Sequence, residues 1–484
     1  MTTIKLDPGA ALLLDALHGA GHAAYAVGGC VRDSLLGLDP HDWDLCTSAR
    51  PEQVMALFGE EKCIPTGLQH GTVTVKQGGR LYETTTFRTE GAYSDGRHPD
   101  AVCFVPDVRE DLARRDFTIN AMAYSAEEGL IDPFGGQDDL VAHLVRAVGE
   151  PERRFEEDAL RILRLYRFAA RFGFAIDPAT GAAARALGPH LDCVSAERIQ
   201  EELLKLLAAP RPGSYLEPAV LAVILPELEP EKQPERFAEL CRTIDRIEPT
   251  AENVPARLAA LLCPLGEAGA RKALRKLKCS NALTDEVTAL EREAGGGAGS
   301  FLLGHEFELR HPADALCLER HSHPAGRCPN SNSLFPPQAA VVAVAGHSVA
   351  RPIACGNRVP PQRTVLGETP GTSNTTLTVQ AKRLLGRYEL PTIQRLTALC
   401  SARHPEQTEA FAALRAEAER LTVENACCRV SQLAVNGRDL MAAGVRPGPG
   451  LRQVLNALLE AVITGQTPNE KDALLAAVAQ FSAS

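Results

Sequence analysis

At 484 residues, 45% of them hydrophobic, the chain is long enough for several domains with substantial cores. Its formal charge of -10 argues against a protein that coats nucleic acid indiscriminately, because such binding is carried by Lys and Arg, although a local basic groove stays open. With no run of about eighteen apolar residues and no charged-then-apolar N-terminus, a soluble, cytoplasmic protein without a membrane partner is expected.

Residues 1 to about 145 read as an α/β unit. A short apolar strand, Ala23 to Val27, meets Gly28-Gly29 and a helix starting near Cys30. Either the glycines let backbone amides approach an anion at the helix N-terminus, with Arg32 in the first turn facing phosphates, or they only make a tight turn and Arg32 is a solvated charge. Next comes His41-Asp-Trp-Asp-Leu45. If Asp42-Trp43-Asp44 lies on a strand, alternation puts both carboxylates on one face, where they can hold Mg²⁺ for phosphoryl transfer. An Asp-x-Asp by itself also occurs in surface loops. Extended runs follow at Trp43 to Thr47, His70 to Lys76, Arg80 to Arg88 and Val102 to Val105, and Gly78-Gly79 suggests a hairpin.

From Glu152 the pattern is helical. Across 156 to 174, Ile162, Leu163, Tyr166, Ala169 and Ala170 share an arc of about 120°, with Arg161, Arg164, Arg167 and Arg171 opposite, at about 100° per residue. Between Arg146 and Arg171 seven Arg stand against five acids, so positive charge is concentrated there. Further helices are predicted at 197 to 208, 255 to 263, 405 to 421, 451 to 463 and 469 to 481, the last capped by Asn469. Residues 302 to about 378 break the pattern with nine Pro and five of the thirteen His. They read as a disordered loop, a lineage-specific insert or a stretch translated in a shifted frame, with helix resuming near Ala381. The fourteen Cys lie singly except Cys427-Cys428, without zinc or redox spacing, and read as reduced packing thiols.

Taken in order, Tyr25-Ala-Val-Gly-Gly-Cys-Val-Arg-Asp33, His41-Asp-Trp-Asp-Leu-Cys-Thr47, Gly67-Leu-Gln-His-Gly-Thr-Val73, Glu83-Thr-Thr-Thr-Phe-Arg88, Arg114-Arg-Asp-Phe-Thr-Ile-Asn-Ala-Met-Ala123, Asp132-Pro-Phe-Gly-Gly136 and Glu157-Asp-Ala-Leu-Arg-Ile-Leu-Arg-Leu-Tyr-Arg-Phe168 resemble the class II tRNA nucleotidyltransferase and poly(A) polymerase family. Most similar are its bacterial CCA-adding members. The resemblance implies an α+β protein with a polymerase-β-like nucleotidyltransferase head, a mixed sheet with helices, over residues 1–146. A helical neck with a base-selecting helix would occupy 147–210, and a helical body and tail for tRNA would occupy 211–484, interrupted by the irregular segment.

It also implies residue roles. Asp42 and Asp44 would bind Mg²⁺ and serve catalysis. Glu83 is either the third carboxylate of that cluster or an ordinary exposed strand Glu. Gly29 and Arg32 would hold the triphosphate and Arg115 would add a cationic contact, while Asp116 and Asn120 brace their segment. Asp158 and Arg161, one helical turn apart, would pair with the exocyclic amine and ring nitrogen shared by cytosine and adenine. Uracil and guanine would set a carbonyl against Asp158. Arg164 and Arg167 would continue toward phosphates or RNA backbone, unless they form a solvated face.

The expected reaction is template-independent addition of C, C and A from CTP and ATP to the tRNA 3′ end, with pyrophosphate released. The acceptor and TΨC arms of tRNA would be the partner, and DNA would not be one. A-addition alone or poly(A) synthesis is the enzymatic alternative, and a catalytically silent RNA-binding protein the non-enzymatic one. Lys62-Cys-Ile-Pro-Thr66 lacks the basic, apolar signature usual in bacterial poly(A) polymerases. Glu90 to Asp100 is similar to the flexible loop of A-adding enzymes, with His98 where Arg is common. The C-terminal half shows no His-Asp phosphohydrolase signature; instead, Leu433-Ala-Val-Asn-Gly-Arg-Asp-Leu-Met441 and Pro447-Gly-Pro-Gly-Leu451 resemble the family's RNA-binding tail.

Overall fold

The computed structural model describes residues 3–90, 102–295 and 372–481. The loop carrying His98 and most of the irregular segment lie outside the described residues. Among the described residues up to Ile176, eleven short strands alternate with helices. The strands are β1 (Ala24–Val27), β2 (Leu45–Thr47), β3 (Cys63–Gly67), β4 (Thr72–Gln77), β5 (Arg80–Thr86), β6 (Arg88–Glu90), β7 (Val102–Phe104), β8 (Ala123–Ser125), β9 (Gly129–Ile131), β10 (Leu144–Val145) and β11 (Ala175–Ile176). Seven of them form one mixed sheet in the order β3-β4-β5-β2-β1-β8-β9. The β2/β5 pair is parallel, Leu45 opposite Thr84, and the other pairs are antiparallel. Gly78 and Gly79, with φ of +58° and +81°, make the two-residue turn between Gln77 and Arg80 that the glycine pair predicts.

Five helices accompany the sheet: α1 (Pro8–Gly19), α2 (Gly29–Leu35), α3 (Pro51–Phe58), α4 (Val108–Ala113) and α5 (Gly136–Val141). The chain then turns helical with α6 (Pro151–Glu157), α7 (Leu160–Phe172), α8 (Pro178–Ala186) and α9 (Ala196–Leu207). Beyond them come α10 (Pro218–Ile224), α11 (Pro234–Arg246), α12 (Val254–Leu262), α13 (Gly266–Lys276), α14 (Asn281–Ala294), α15 (Thr372–Arg387), α16 (Leu390–Arg403) and α17 (Thr408–Val423). Last are α18 (Gly437–Ala442), α19 (Pro449–Ile463) and α20 (Lys471–Phe481). One continuous apolar core runs from Leu13 and Val73 under the sheet, through Ile162 and Leu203, to Leu258 and Leu414. The last three helices close over a separate core of Val435, Leu440, Leu458, Val462, Leu474 and Val478.

Four sequence expectations need correction. Strand β2 starts at Leu45, so Asp42-Trp43-Asp44 precedes it. Val27 N still donates to Asp44 O at 3.0 Å, but β1 ends there in the Gly28 turn, and the next step of the β2/β5 register would oppose Asp44 to Glu83, a like-charge pair. The continuous helix over 156 to 174 is broken. Asp158 adopts extended backbone (φ -148°, ψ 102°), and its Oδ1 accepts from Leu160 N at 3.1 Å, opening α7 as a side-chain cap does. Helix α20 starts at Lys471, and Asn469 before it ties the preceding loop through Ala434 N and Gln432 O, both at 2.9 Å. Helix α15 begins at Thr372, inside the segment read as irregular to 378.

Candidate active site

At the centre of the sheet, β1 delivers the chain into Gly28, whose φ of +77° few side chains adopt. A Cβ there would lie 2.7 Å from Arg115 Nη1, so the missing side chain is what lets this guanidinium sit over the turn. Arg115 Nε is buried without a hydrogen-bond partner among the described residues, and its Nη2 lies 3.6 Å from Asp111 Oδ2. Asp42 and Asp44 lie just ahead of β2, and Glu83 stands on β5. Asp44 is exposed at its surface edge, yet its carboxyl lies above its usual range, through partial desolvation first and then the charges of Glu83 and Asp42, with Arg115 opposing.

Arg32 is not a solvated charge: it is 3% exposed, with Nε on Asp33 Oδ1 at 2.8 Å and Nη1 on Asn120 Oδ1. Its guanidinium carbon lies 5.3 and 4.8 Å from the ring centres of Phe168 and Phe172 on α7. Asn120 passes the chain on to Asp116, which pairs with Arg164, while Arg171 reaches back to Asp33 at 3.2 Å. The arginine face of α7 thus packs against carboxylates of the head and of α9. Arg167 donates to Glu202 at 2.5 Å, and Arg161 is 9% exposed.

Where head and α7 meet, a cavity of about 260 Å³ is walled by Arg114, Arg115 and Asp116 on one side and Asp158, Leu160, Arg161, Arg164 and Arg198 on the other. Asp158 and Arg161 do not bond each other. Asp158 Oδ2 accepts from Arg198 Nη2 at 2.8 Å; Arg161 is held by Glu157 at 2.7 Å and by the carbonyls of Arg154 and Arg114, each at 3.1 Å. Of the residues singled out from sequence, Arg115, Asp158, Arg161 and Arg164 converge on this cavity, and Arg115 also acts on Asp44. Gly29 opens α2 and does not line the cavity, whereas Arg167 points to α9 and Arg32 into the interior. Arg198 escaped the sequence reading because, on a predicted helix, it looks like any surface arginine; its partner is forty residues away.

The Poly A polymerase head domain matches residues 24–146, the RNA and SrmB-binding site of polymerase A matches 173–232, and tRNA nucleotidyltransferase domain 2 matches 378–478. A CCA-adding enzyme of Levilactobacillus brevis is 33% identical over 466 residues, 96% of each chain. The chain belongs to the CCA-adding enzyme family. It is a nucleotidyltransferase. The CCA-adding enzyme of Lactobacillus helveticus is 43% identical over 277 residues, 57% of this chain and 68% of that one. Among solved structures, the Bacillus stearothermophilus CCA-adding enzyme in complex with CTP superposes with a TM-score of 0.68 at 29% identity, covering 99% of this chain and 98% of that one. The mixed-sheet head and helical remainder expected of the family are therefore present.

Proposed function

We propose that this CCA-adding family member adds C, C and A stepwise to the 3′ end of tRNA from CTP and ATP, without a template strand, releasing pyrophosphate. The observation that carries the reading is the position of Arg115, over the Gly28 turn and near the Asp44 carboxylate ahead of β2 on one side, and lining a cavity whose far wall bears Asp158 and Arg161 on the other. One side suits phosphoryl transfer and the other suits a base. The L. brevis and L. helveticus relatives are named CCA-adding enzymes, and the B. stearothermophilus relative was solved with CTP, in line with this assignment.

The donor set fits Mg²⁺. Among the described residues no three metal-ligating side chains close into a cage, and Mg²⁺ characteristically takes one or two carboxylates and fills its shell with phosphate oxygens and water. Asp42 and Asp44 would hold it, with Glu83 beside them. The ion would neutralise charge on the triphosphate and activate the RNA hydroxyl. In the reading proposed here, the tRNA 3′ oxygen attacks the α-phosphorus and pyrophosphate leaves in line. The Gly28-Gly29 turn and Arg115 hold the triphosphate, with Arg32 fixing the first turn of α2.

Asp158 would accept from the exocyclic amine of cytosine or adenine and Arg161 would donate to the neighbouring ring nitrogen, which disfavours UTP and GTP. Arg164 extends the basic wall, while Arg167 is held away from it by Glu202. On this reading residues 1–146 are the catalytic head, 147–210 the selecting neck, and 211–484 the part that grips the acceptor and TΨC arms. The described cysteines are all free, in keeping with a reducing cytoplasm. Among the described residues no helix is long and apolar enough to cross a membrane.

The test supplies Mg²⁺ and each labelled nucleotide separately to tRNA ending at the discriminator base or after CC. C should enter the shorter tRNA and A the longer. Failure of C to enter the shorter tRNA, with A still added to the longer, would turn the assignment to A-addition.

A further inference from the structure

The two side chains proposed to read the base have separate supports. Arg161 is tied by Glu157 and Arg154 of the preceding helix α6 and by the Arg114 carbonyl just after α4. Asp158 sits in the non-helical step between α6 and α7, where a short side chain on extended backbone is not oriented by a helix. One of its oxygens is occupied as the cap of α7. Among the described residues the other meets a single side chain, Arg198, which reaches in from α9 and is itself part of the cavity wall. Both partners are largely covered, at 22% and 16% side-chain exposure, so the pair is screened less than a surface ion pair.

Helix α9 is well placed to act as a rail. One turn beyond Arg198, Glu202 holds Arg167 of α7, so the two contacts align α9 along the basic face of α7. At its C-terminal end the fully buried Arg257 of α12 donates to Leu207 O and Ala209 O at 2.6 and 2.5 Å, and to Ile247 O at 2.6 Å. The last turn of α9 is thereby pinned to the helices beyond it. A guanidinium carried on a helix fixed in this way gives Asp158 a direction that its own backbone does not.

We propose that Arg198 is a specificity-positioning residue, which aims the Asp158 carboxylate into the cavity so that it meets an exocyclic amine rather than a carbonyl. This rests on the base-reading role proposed for Asp158. Without Arg198 the Asp158 side chain keeps only its bond to Leu160 N and turns more freely. Selection should then weaken while the phosphate site and carboxylates, which Arg198 does not touch, keep working.

The experiment measures incorporation of C, A, U and G into tRNA ending at the discriminator base, with kcat and KM for each nucleotide and a thermal melt, for wild type, Arg198→Met, Arg198→Lys and Asp158→Ala. Arg198→Met is expected to lower the preference for C over U roughly tenfold, the scale of one lost charge-assisted hydrogen bond, mainly through the KM for CTP. Arg198→Lys, which keeps the charge but not the fork, should fall between the two with an unchanged melt. If Asp158→Ala relaxes base choice while Arg198→Met and Arg198→Lys both retain wild-type ratios, the positioning role is overturned and the base-reading role stands. If Asp158→Ala also leaves the ratios unchanged, the base-reading role is overturned, and the proposal with it.

Discussion

Arg164 donates to a single oxygen of Asp116 twice, from Nε at 2.9 Å and Nη2 at 2.5 Å, joining the head to α7 through one buried carboxylate. The other oxygen accepts from Asn120 at 3.0 Å, and Asn120 in turn holds Arg32. Base-reading wall and phosphate turn therefore share one hydrogen-bonded network, and a change at its centre should be felt at both ends.

Burial opposes ionisation of Asp116, but Arg164 and Asn120 outweigh it and hold the carboxyl well below the usual carboxylate range. A depressed folded-state pKa gives stability that is fully present above the unfolded value and fades as acid protonates the group. The pair should thus be intact from neutral pH down to about 4 and weaken below it. Asp116→Asn leaves Arg164 without its counter-charge and should cost roughly 3 kcal/mol at pH 7. Urea denaturation at pH 7 and pH 3.5 checks this, the mutant losing less than wild type between the two.

Asp42→Ala or Asp44→Ala should abolish nucleotide addition and leave tRNA binding nearly unchanged, read by a filter-binding titration beside the addition assay. A large loss of binding would make these carboxylates structural. The raised pKa of Asp44 has the opposite sign from that of Asp116. Protonation relieves its partial desolvation and the repulsion from Glu83 and Asp42, so the metal-free protein should lose a little stability as pH climbs from about 4 through the raised value. Added Mg²⁺ should restore it in wild type and not in Asp44→Ala, which thermal melts with and without the ion would register.

Gly28→Ala introduces a Cβ 2.7 Å from Arg115 Nη1, at a φ of +77°. The backbone strain alone should cost about 1–2 kcal/mol. Displacement of Arg115 should raise the KM for CTP and ATP together, with base preference unaffected. A selective loss of one nucleotide would place Arg115 in base reading instead.

Arg257→Lys should destabilise the protein by roughly 3 kcal/mol despite keeping the charge. One ammonium cannot reach the carbonyls of Leu207, Ala209 and Ile247 that the fork satisfies, and buried carbonyls without donors are costly. Chemical denaturation measures the loss. An effect under about 1 kcal/mol would mean water replaces the guanidinium.

Local signals were readable where the chemistry is local. The Gly28-Gly29 turn, the Gly78-Gly79 hairpin and the Asp42/Asp44 pair each lie within a few residues, where backbone geometry restricts what the chain can do. Asp158 shows the limit. Apolar spacing runs unbroken across it, while a side-chain cap and extended backbone divide α6 from α7, and periodicity cannot register a cap that interrupts the helix without interrupting the pattern.

By itself the sequence determined the ordered motifs that place the chain in its family, the succession of a strand-rich head and a helical remainder, and the arginine stripe at helical spacing on α7. Only the tertiary structure decided what that stripe does. Spacing looks the same whether a face meets water or carboxylates, and the partners of Arg164, Arg167 and Arg171 lie far along the chain, at Asp116 in a loop, Glu202 on α9 and Asp33 on α2. Arg198 became visible for the same reason: its charge is local, but its partner Asp158 is brought to it only when α9 packs on α7.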